Sequence, residues 1–188
     1  MGQGFDSNTR IQHLRGQTHG GILLRDLEYT VTCPEQFEAV AELDTMRRMH
    51  LSDLPEFFTV REHASTLIVR KGFNTDFATI PRSVWWYIAP NDLRRPAAVH
   101  DALYDTLRLL RYRDKIGRRD IRHYRKLIDE LFYDSMKFTD PSIGRLRRWS
   151  AYRAVRSVGW APFIPKLLPV RMREDSPVPF FCEEIASC

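Results

Sequence analysis

The sequence predicts an α+β fold in which a small N-terminal antiparallel β region precedes a core of three helices. Residues 22–75 contain four short runs of β-branched and aromatic residues, which favour strands. Residues 94–159 instead carry apolar residues three and four positions apart, the spacing of amphipathic helices. A chain of 188 residues with 43% hydrophobic residues is long enough to fold as one domain around its own core.

Four segments of the β region are predicted to be strands that form either one small antiparallel sheet or two hairpins. These segments are residues 22–24, 29–32, 57–60 and 66–69. Between the second and third of them, residues 35–51 space their apolar side chains as a helix does. The β region is therefore expected to include one helix.

The core is predicted to consist of helices from about Pro96 to Leu110, from Arg118 to Lys137 and from Pro141 to Val158. Proline suits the first turn of a helix, as at Pro96, and Gly159 is a favourable residue for the end of the third helix. The turn at residues 112–117 is short, so the first two helices are expected to be antiparallel neighbours.

Both ends of the chain are predicted to lie outside the single domain at residues 22–161. Residues 1–21 are polar, contain five glycines and show little periodicity, so they are predicted to be a flexible arm. Residues 162–188 are rich in proline and are predicted to form an extended tail. The N-terminus lacks the apolar segment of a signal peptide, and no apolar run has the length of a transmembrane helix.

The formal net charge of +5 is unevenly distributed along the chain. Residues 94–173 contain 20 basic and 8 acidic residues, a net charge of +12, whereas the remaining residues have a net charge of −7. Such a basic half predicts a polyanionic partner, either phospholipid headgroups or nucleic acid, although no nucleic-acid-binding motif is recognisable. The alternative, that the arginines only line solvated helix faces, stays open at this point.

A candidate site lies in the first predicted helix of the core. His100 and Tyr104 are four residues apart and share a helix face, whereas Asp101 points about 100° away, toward the preceding loop. Carboxylates and free loop carbonyls are the ligands that Ca²⁺ takes in proteins. Asp76, the Phe77 carbonyl and Asp101 are therefore candidate metal ligands, and Tyr104 is a candidate hydrogen-bond donor.

Asp129 is the candidate partner of His100. It lies on the second predicted helix among apolar residues, where a buried carboxylate needs a partner. A carboxylate that holds one ring nitrogen fixes the tautomer and stabilises the imidazolium, so His100 would be able to accept a proton from water. Two plainer alternatives are a structural histidine and a surface pair between Asp129 and Arg125.

Two motifs resemble those of an uncharacterised family that is frequent in phage and prophage genomes. The family reads G-F-x-T-D-F-A-S-I-P-R, followed by a helix with H-D-x-L-Y. Residues 72–81 read GFNTDFATIP, with Thr79 in place of the serine, and residues 100–104 read HDALY. The resemblance covers roughly residues 22–159.

The same stretch also resembles the small secreted bacterial phospholipases A2. Their motifs T-D, H-D-x-x-Y, I-D-x-x-F-Y-x-D-M and Y-x-A-V-x-x-x-G have counterparts in the same order, at residues 75–81, 97–104, 128–136 and 152–159. This resemblance implies a phospholipase A2-like three-helix core with His100 as the general base and Asp129 as its orienting partner. It also implies Ca²⁺ held by Asp76, the Phe77 carbonyl and Asp101.

We therefore expect a phage-associated phospholipase A2-like hydrolase, with phospholipid or another polyanion as its partner. The alternative is a non-catalytic structural component of a phage virion, in the tail, baseplate or connector, which retains the fold and contacts other virion proteins. Three cysteines without zinc or disulfide spacing indicate synthesis in a reducing compartment, hence the host cytoplasm during assembly, with the virion as a further location. A His-Asp phosphohydrolase is disfavoured because only His50 and His123 join His100 in predicted helices.

Overall fold

The computed structural model describes residues 4–5, 11–12, 21–75, 93–139 and 142–158. Within these residues the chain has the predicted α+β fold, with two small antiparallel sheets and four α-helices. The strands are β1 (Gly4–Phe5), β2 (Ile11–Gln12), β3 (Gly21–Leu23), β4 (Leu27–Thr30), β5 (Phe58–Arg61), β6 (Thr66–Val69) and β7 (Asn74–Thr75). The helices are α1 (Pro34–His50), α2 (Arg94–Tyr112), α3 (Arg118–Ser135) and α4 (Arg145–Val158).

The larger sheet has the strand order β1-β4-β6-β5, with every neighbouring pair antiparallel. In β4 the side chains of Leu27 and Tyr29 are buried while those of Glu28 and Thr30 are half-buried, the alternation expected when one sheet face packs on the core. All four residues of β6, which lies between β4 and β5, are buried. The turn between β5 and β6 contains Ser65 in a left-handed conformation, with φ 46°.

The smaller sheet has the order β2-β3-β7 and leads the chain toward α2. Gly21 pairs with Thr75 and Ile22 with Asn74, so β7 runs antiparallel to β3. The four predicted strands correspond to β3, β4, β5 and β6, with ends displaced by up to two residues. Strands β1, β2 and β7 were not predicted, because two residues are too few to show a period.

Five residues of the predicted N-terminal arm, at positions 4, 5, 11, 12 and 21, are paired in these sheets. Gly4 and Phe5 pair with β4, and the Phe5 ring lies 4.8 Å from the Tyr29 ring, centroid to centroid. Gly4 has φ 108°, and a Cβ atom at this position would lie 2.6 Å from Phe138 Cβ. Both the backbone conformation and the space at this position therefore require glycine. The other residues of the arm, and the predicted tail, lie outside the described residues.

The α1 helix begins at Pro34, one residue before the predicted start, and its buried face packs on β5, α2 and α3. Arg47 is buried on this face, where it donates hydrogen bonds to Asp44 Oδ1 and to Glu56 Oε1 at 2.9 and 3.0 Å. The two carboxylates neutralise a guanidinium that would otherwise be costly to bury. This ion pair also joins α1 to the segment before β5.

The helices of the core lie close to their predicted positions. The α2 helix begins at Arg94, two residues earlier than predicted, and α3 ends at Ser135 and continues as a 3-10 turn. The α4 helix begins at Arg145, four residues later than predicted, after Gly144, whose carbonyl accepts a hydrogen bond from the backbone N–H of Arg148. Periodicity cannot show this boundary, since residues 142–144 fit the pattern without being helical.

Every residue of α2 from Pro96 to Leu110 is buried. The helix packs against α1, α3, β6 and β7, so no long face of it reaches solvent. Polar side chains on such a helix must find partners inside the protein, because burying them unpaired is costly. In the described part of the chain, no helix has the length and apolarity needed to cross a membrane.

Candidate functional site

A carboxylate from α3 meets an imidazole and a phenol from α2. His100 Nε2 lies 3.1 Å from Asp129 Oδ1, and Tyr104 Oη donates a hydrogen bond to the same oxygen at 2.6 Å. The His100 and Tyr104 rings are stacked one turn apart on α2, with their centroids 4.1 Å from each other. The structure thus brings the three predicted catalytic residues into direct contact.

The local fold explains why these side chains meet. The short turn after α2 places α3 beside it, and the apolar spacing of α3 directs Ile128, Leu131 and Phe132 toward the core. Asp129 lies within this apolar set and is 0% exposed. The Phe132 ring packs near His100, with a centroid distance of 5.1 Å. A carboxylate in such surroundings has to be hydrogen-bonded, and the donors come from α2 and α4.

The donor from α4 is Arg156, which no motif or spacing in the sequence indicates. Its Nη1 atom donates a hydrogen bond to Asp129 Oδ2 at 3.0 Å, and the Arg156 side chain is 36% exposed. Within the described residues, the Asp129 carboxylate is therefore bound by three side chains, two at Oδ1 and one at Oδ2. It is buried and paired with Arg156, rather than lying on the surface as the simple alternative with Arg125 assumed.

Burial and charge act in opposite directions on the pKa values of the pair. For Asp129, burial alone would raise the pKa, but the hydrogen bonds and charge of His100, with Tyr104 and Arg156, hold the pKa below its ordinary value. For His100, burial alone would lower the pKa, yet the carboxylates of Asp101 and Asp129 outweigh it and raise the pKa. Asp129 is therefore ionised, and its carboxylate accepts a hydrogen bond from the protonated Nε2 of His100.

Tyr104 stays protonated in this site. Burial and the negative charge of Asp129 both raise the pKa of its phenol, and the nearby positive charge of Arg125 only partly opposes them. The phenol is therefore a permanent hydrogen-bond donor to Asp129 Oδ1, while Arg156 donates to the other oxygen, Oδ2. With Oδ1 and Oδ2 both occupied, the plane of the carboxylate is set.

Asp101 lies on the side of α2 that faces the end of β7. Its Oδ2 atom accepts a hydrogen bond from Thr75 Oγ1 at 2.5 Å, and the residue is 2% exposed. Its Oδ1 atom is 3.9 Å from His100 Nδ1, too far for a direct hydrogen bond. The second ring nitrogen of His100, Nδ1, therefore lies near the negative charge of Asp101 without a direct hydrogen bond to the Oδ1 atom.

The described residues give only part of the predicted calcium site. Asp76 and Phe77, two of the three predicted ligands, lie outside the described residues. Among the residues that the structure describes, no cluster of three or more His, Cys, Asp or Glu side chains is able to hold a metal ion. Asp101 alone contributes one carboxylate, whereas Ca²⁺ takes about six to eight oxygen ligands. Calcium binding stays a prediction.

A sequence model of one protein family matches residues 53–155, more than half of the chain. The chain therefore belongs to this family, DUF1353, which is described as a protein of unknown function. The matched residues include His100, Tyr104 and Asp129 and end one residue before Arg156. No curated protein matches the chain, and no solved structure does. Membership of a family of unknown function is thus confirmed, while the association with phage stays a prediction.

Proposed function

We propose that this chain is an ester hydrolase of the phospholipase A2 type, with a glycerophospholipid as its substrate. The observation that carries the proposal is the contact of 3.1 Å between His100 Nε2 and Asp129 Oδ1, with Tyr104 bound to the same oxygen. A histidine whose ring is oriented by a buried carboxylate is a common general base for water. The order of the motifs along the chain supports the phospholipase A2 type.

The roles of the two ring nitrogens follow from this contact. Because Asp129 accepts the proton of Nε2, Nδ1 is the nitrogen that takes a proton from the attacking water. As that proton arrives, the ring becomes an imidazolium, and the ionised Asp129 stabilises it. The same ring then returns the proton to the leaving alcohol. Tyr104 and Arg156 keep Asp129 in place during both steps.

The proposal includes a calcium ion. Asp76, the Phe77 carbonyl and Asp101 would hold it, and the bound ion would supply positive charge for the carbonyl oxygen of the ester. The buried Asp101 carboxylate beside His100 is the observation in favour of this part of the proposal. The other two ligands rest on the resemblance alone.

A non-catalytic component of a phage virion is the second candidate. The observation that favours it is burial, because His100 is 1% exposed and Asp129 is 0% exposed, with their hydrogen-bond partners inside the protein. A site of this kind must open before a substrate reaches Nδ1, whereas a structural network needs no opening. Mass spectrometry of purified particles tests this candidate, which requires the protein to be present in many copies.

Release of fatty acid from phospholipid tests the proposed hydrolase. The wild-type protein with Ca²⁺ is expected to release fatty acid, and His100→Gln is expected to abolish the release. His123→Gln is the matched control, since His123 is exposed on α3 and should keep the wild-type rate. Circular dichroism shows whether each variant is folded. A folded wild-type protein without measurable release, or a His100→Gln variant as fast as the wild type, rejects the proposal.

A further inference from the structure

The α4 helix exposes two large apolar side chains on its outward face. Leu146 is 73% exposed and Trp149 is 56% exposed. The inward side of α4 is marked by Ala151 and Val155, which are buried against side chains of α3. At about 100° per residue, Leu146, Trp149 and Arg153 point away from that side. We call these three residues the outward face of α4.

This face is positively charged as well as apolar. Helix α4 contains five arginines and no acidic residue. The Arg153 guanidinium lies over the Trp149 ring, 5.7 Å from its centroid, so a cation is held within the apolar face. Arg145 is exposed at the start of the same helix. Exposed aromatic and aliphatic side chains beside arginines form the pattern of a helix that lies in a membrane interface.

The charge and the apolar residues together restrict the partner. A second copy of the chain would bring this arginine-rich helix against itself, with no acidic residue of α4 to offset the repulsion. A nucleic acid would bind the arginines and stack on Trp149, but it would give no role to Leu146. Leu146 is the more exposed of the two apolar residues, and its burial needs an apolar partner. An anionic phospholipid surface offers phosphates to the arginines and an apolar layer to Trp149 and Leu146.

We propose that the outward face of α4 binds the surface of an anionic phospholipid membrane. Leu146 and Trp149 enter the boundary between headgroups and acyl chains, and Arg145 and Arg153 bind headgroup phosphates. The choice of phospholipid rests on the proposed function, but binding is measured without hydrolysis. The same helix carries Arg156, which holds Asp129, so the membrane surface would lie beside the candidate site.

Sedimentation of the full-length protein with vesicles tests this inference. At low salt, the wild type is expected to sediment with vesicles that contain phosphatidylglycerol, and much less with phosphatidylcholine alone. The double variant Leu146→Ala/Trp149→Ala is expected to bind at least about tenfold more weakly, because it loses the apolar insertion. The variants Met49→Ala and Tyr112→Ala are matched controls, since these side chains are 62% and 59% exposed on α1 and α2.

The charged part of the face has its own variant. Arg153→Gln is expected to weaken binding to anionic vesicles at low salt and to flatten the dependence of binding on salt. Lys115→Gln, an exposed cation in the turn after α2, is its control and should bind as the wild type does.

Three results overturn the inference. The wild type does not bind anionic vesicles at low salt, or the double variant binds them as well as the wild type. The third result is that the wild type binds single-stranded oligonucleotides through Trp149 and Arg153 but does not bind vesicles. This result would assign the outward face of α4 to nucleic acid.

The two proposals fail separately. His100→Gln should bind vesicles as the wild type does, and Leu146→Ala/Trp149→Ala should hydrolyse a soluble short-chain ester at the wild-type rate. Vesicle binding through α4 without any hydrolysis rejects the proposed function and keeps this inference. Hydrolysis with unchanged vesicle binding in the double variant rejects this inference alone.

Discussion

Replacement of Asp129 by asparagine should destabilise the folded protein, although the two side chains are similar in size. The side chain is 0% exposed, and its carboxylate accepts hydrogen bonds from His100 and Tyr104 on Oδ1 and from Arg156 on Oδ2. Asparagine is similar in size and keeps an acceptor for the first two donors. Its amide group, however, would place N–H groups against the Arg156 guanidinium.

The magnitude follows from these three contacts. Two charge-assisted hydrogen bonds become neutral ones, which costs roughly 1 kcal/mol each. Loss of the Arg156 pair adds roughly 0.5 kcal/mol, because that side chain is 36% exposed and the pair is partly screened by solvent. The free energy of unfolding should therefore fall by about 2–3 kcal/mol. For a chain of this length, that corresponds to a decrease in Tm of roughly 5–10 °C.

Urea denaturation monitored by circular dichroism measures the change in the free energy of unfolding. Glu130→Gln is the matched control, because the neighbouring Glu130 forms a surface pair with Lys126 at 3.7 Å. The control should lose less than about 0.5 kcal/mol. If Asp129→Asn unfolds at the same urea concentration as Glu130→Gln, with the same slope, the buried network does not hold α2, α3 and α4 together.

Two further predictions concern other parts of the fold. Gly4→Ala should lower the free energy of unfolding by about 2 kcal/mol in urea denaturation, because φ is 108° and the new Cβ would lie 2.6 Å from Phe138 Cβ. Gly144→Ala is the control and should be close to neutral, because a Cβ there meets nothing within 4 Å. The hydrogen bond from Arg113 lowers the pKa of Asp53 to about 2, so this pair stabilises the folded state above the ordinary carboxyl pKa and the contribution is lost as the pH falls through about 2. An NMR titration of Arg113→Gln should show the Asp53 pKa closer to its ordinary value. An unchanged titration, or equal losses for the two glycine variants, would contradict these assignments.

The proximity of His100, Tyr104 and Asp129 was in part predictable from the sequence, because helix geometry is local. A spacing of four residues places His100 and Tyr104 on one face wherever α2 lies. The apolar pattern of α3 predicts that Asp129 is buried, and the short turn after α2 predicts that the two helices are neighbours. The contact of 3.1 Å between His100 Nε2 and Asp129 Oδ1 agrees with these local rules, although its register depends on how α2 and α3 pack.

The role of Arg156 as a partner of Asp129 was not predictable from the sequence in the same way. Helix α4 carries five arginines, and the sequence gives no reason to prefer one of them as a partner for Asp129. The choice depends on how far α4 is shifted along α3, where Ala151 and Val155 of α4 share a buried cluster with Phe132 of α3. Packing of this kind depends on contacts between distant parts of the chain, which periodicity does not report.

The paired dipeptides near the N-terminus show a second limit of sequence patterns. Phe5 pairs with Tyr29 across a two-residue ladder, and a ladder of this length has no repeat to detect. The glycines of residues 1–21 were the reason to predict a flexible arm. At Gly4, however, glycine is required by a specific backbone conformation and by close contact with Phe138. Glycine in a sequence therefore indicates freedom in one context and a fixed, crowded backbone in another.

The burial of the candidate site links the fold to both proposed functions. In the hydrolase, a site that excludes water strengthens the interaction between the imidazolium and Asp129, but substrate entry then requires part of the structure to move. In a virion component, the same network would act only as a buried connection among three helices. Both functions predict the stability loss in Asp129→Asn, and only the hydrolase predicts a loss of ester cleavage.

A double-mutant cycle on ester hydrolysis tests the central claim, that His100 and Asp129 act as one catalytic unit, most directly. Rates of fatty-acid release are measured for the wild type, His100→Gln, Asp129→Asn and the double variant, at a temperature where all four are folded. We expect each single variant to lose at least roughly 100-fold in rate, and the double variant to lose no more than His100→Gln alone. Losses that multiply in the double variant, or a wild type without activity, would contradict the claim.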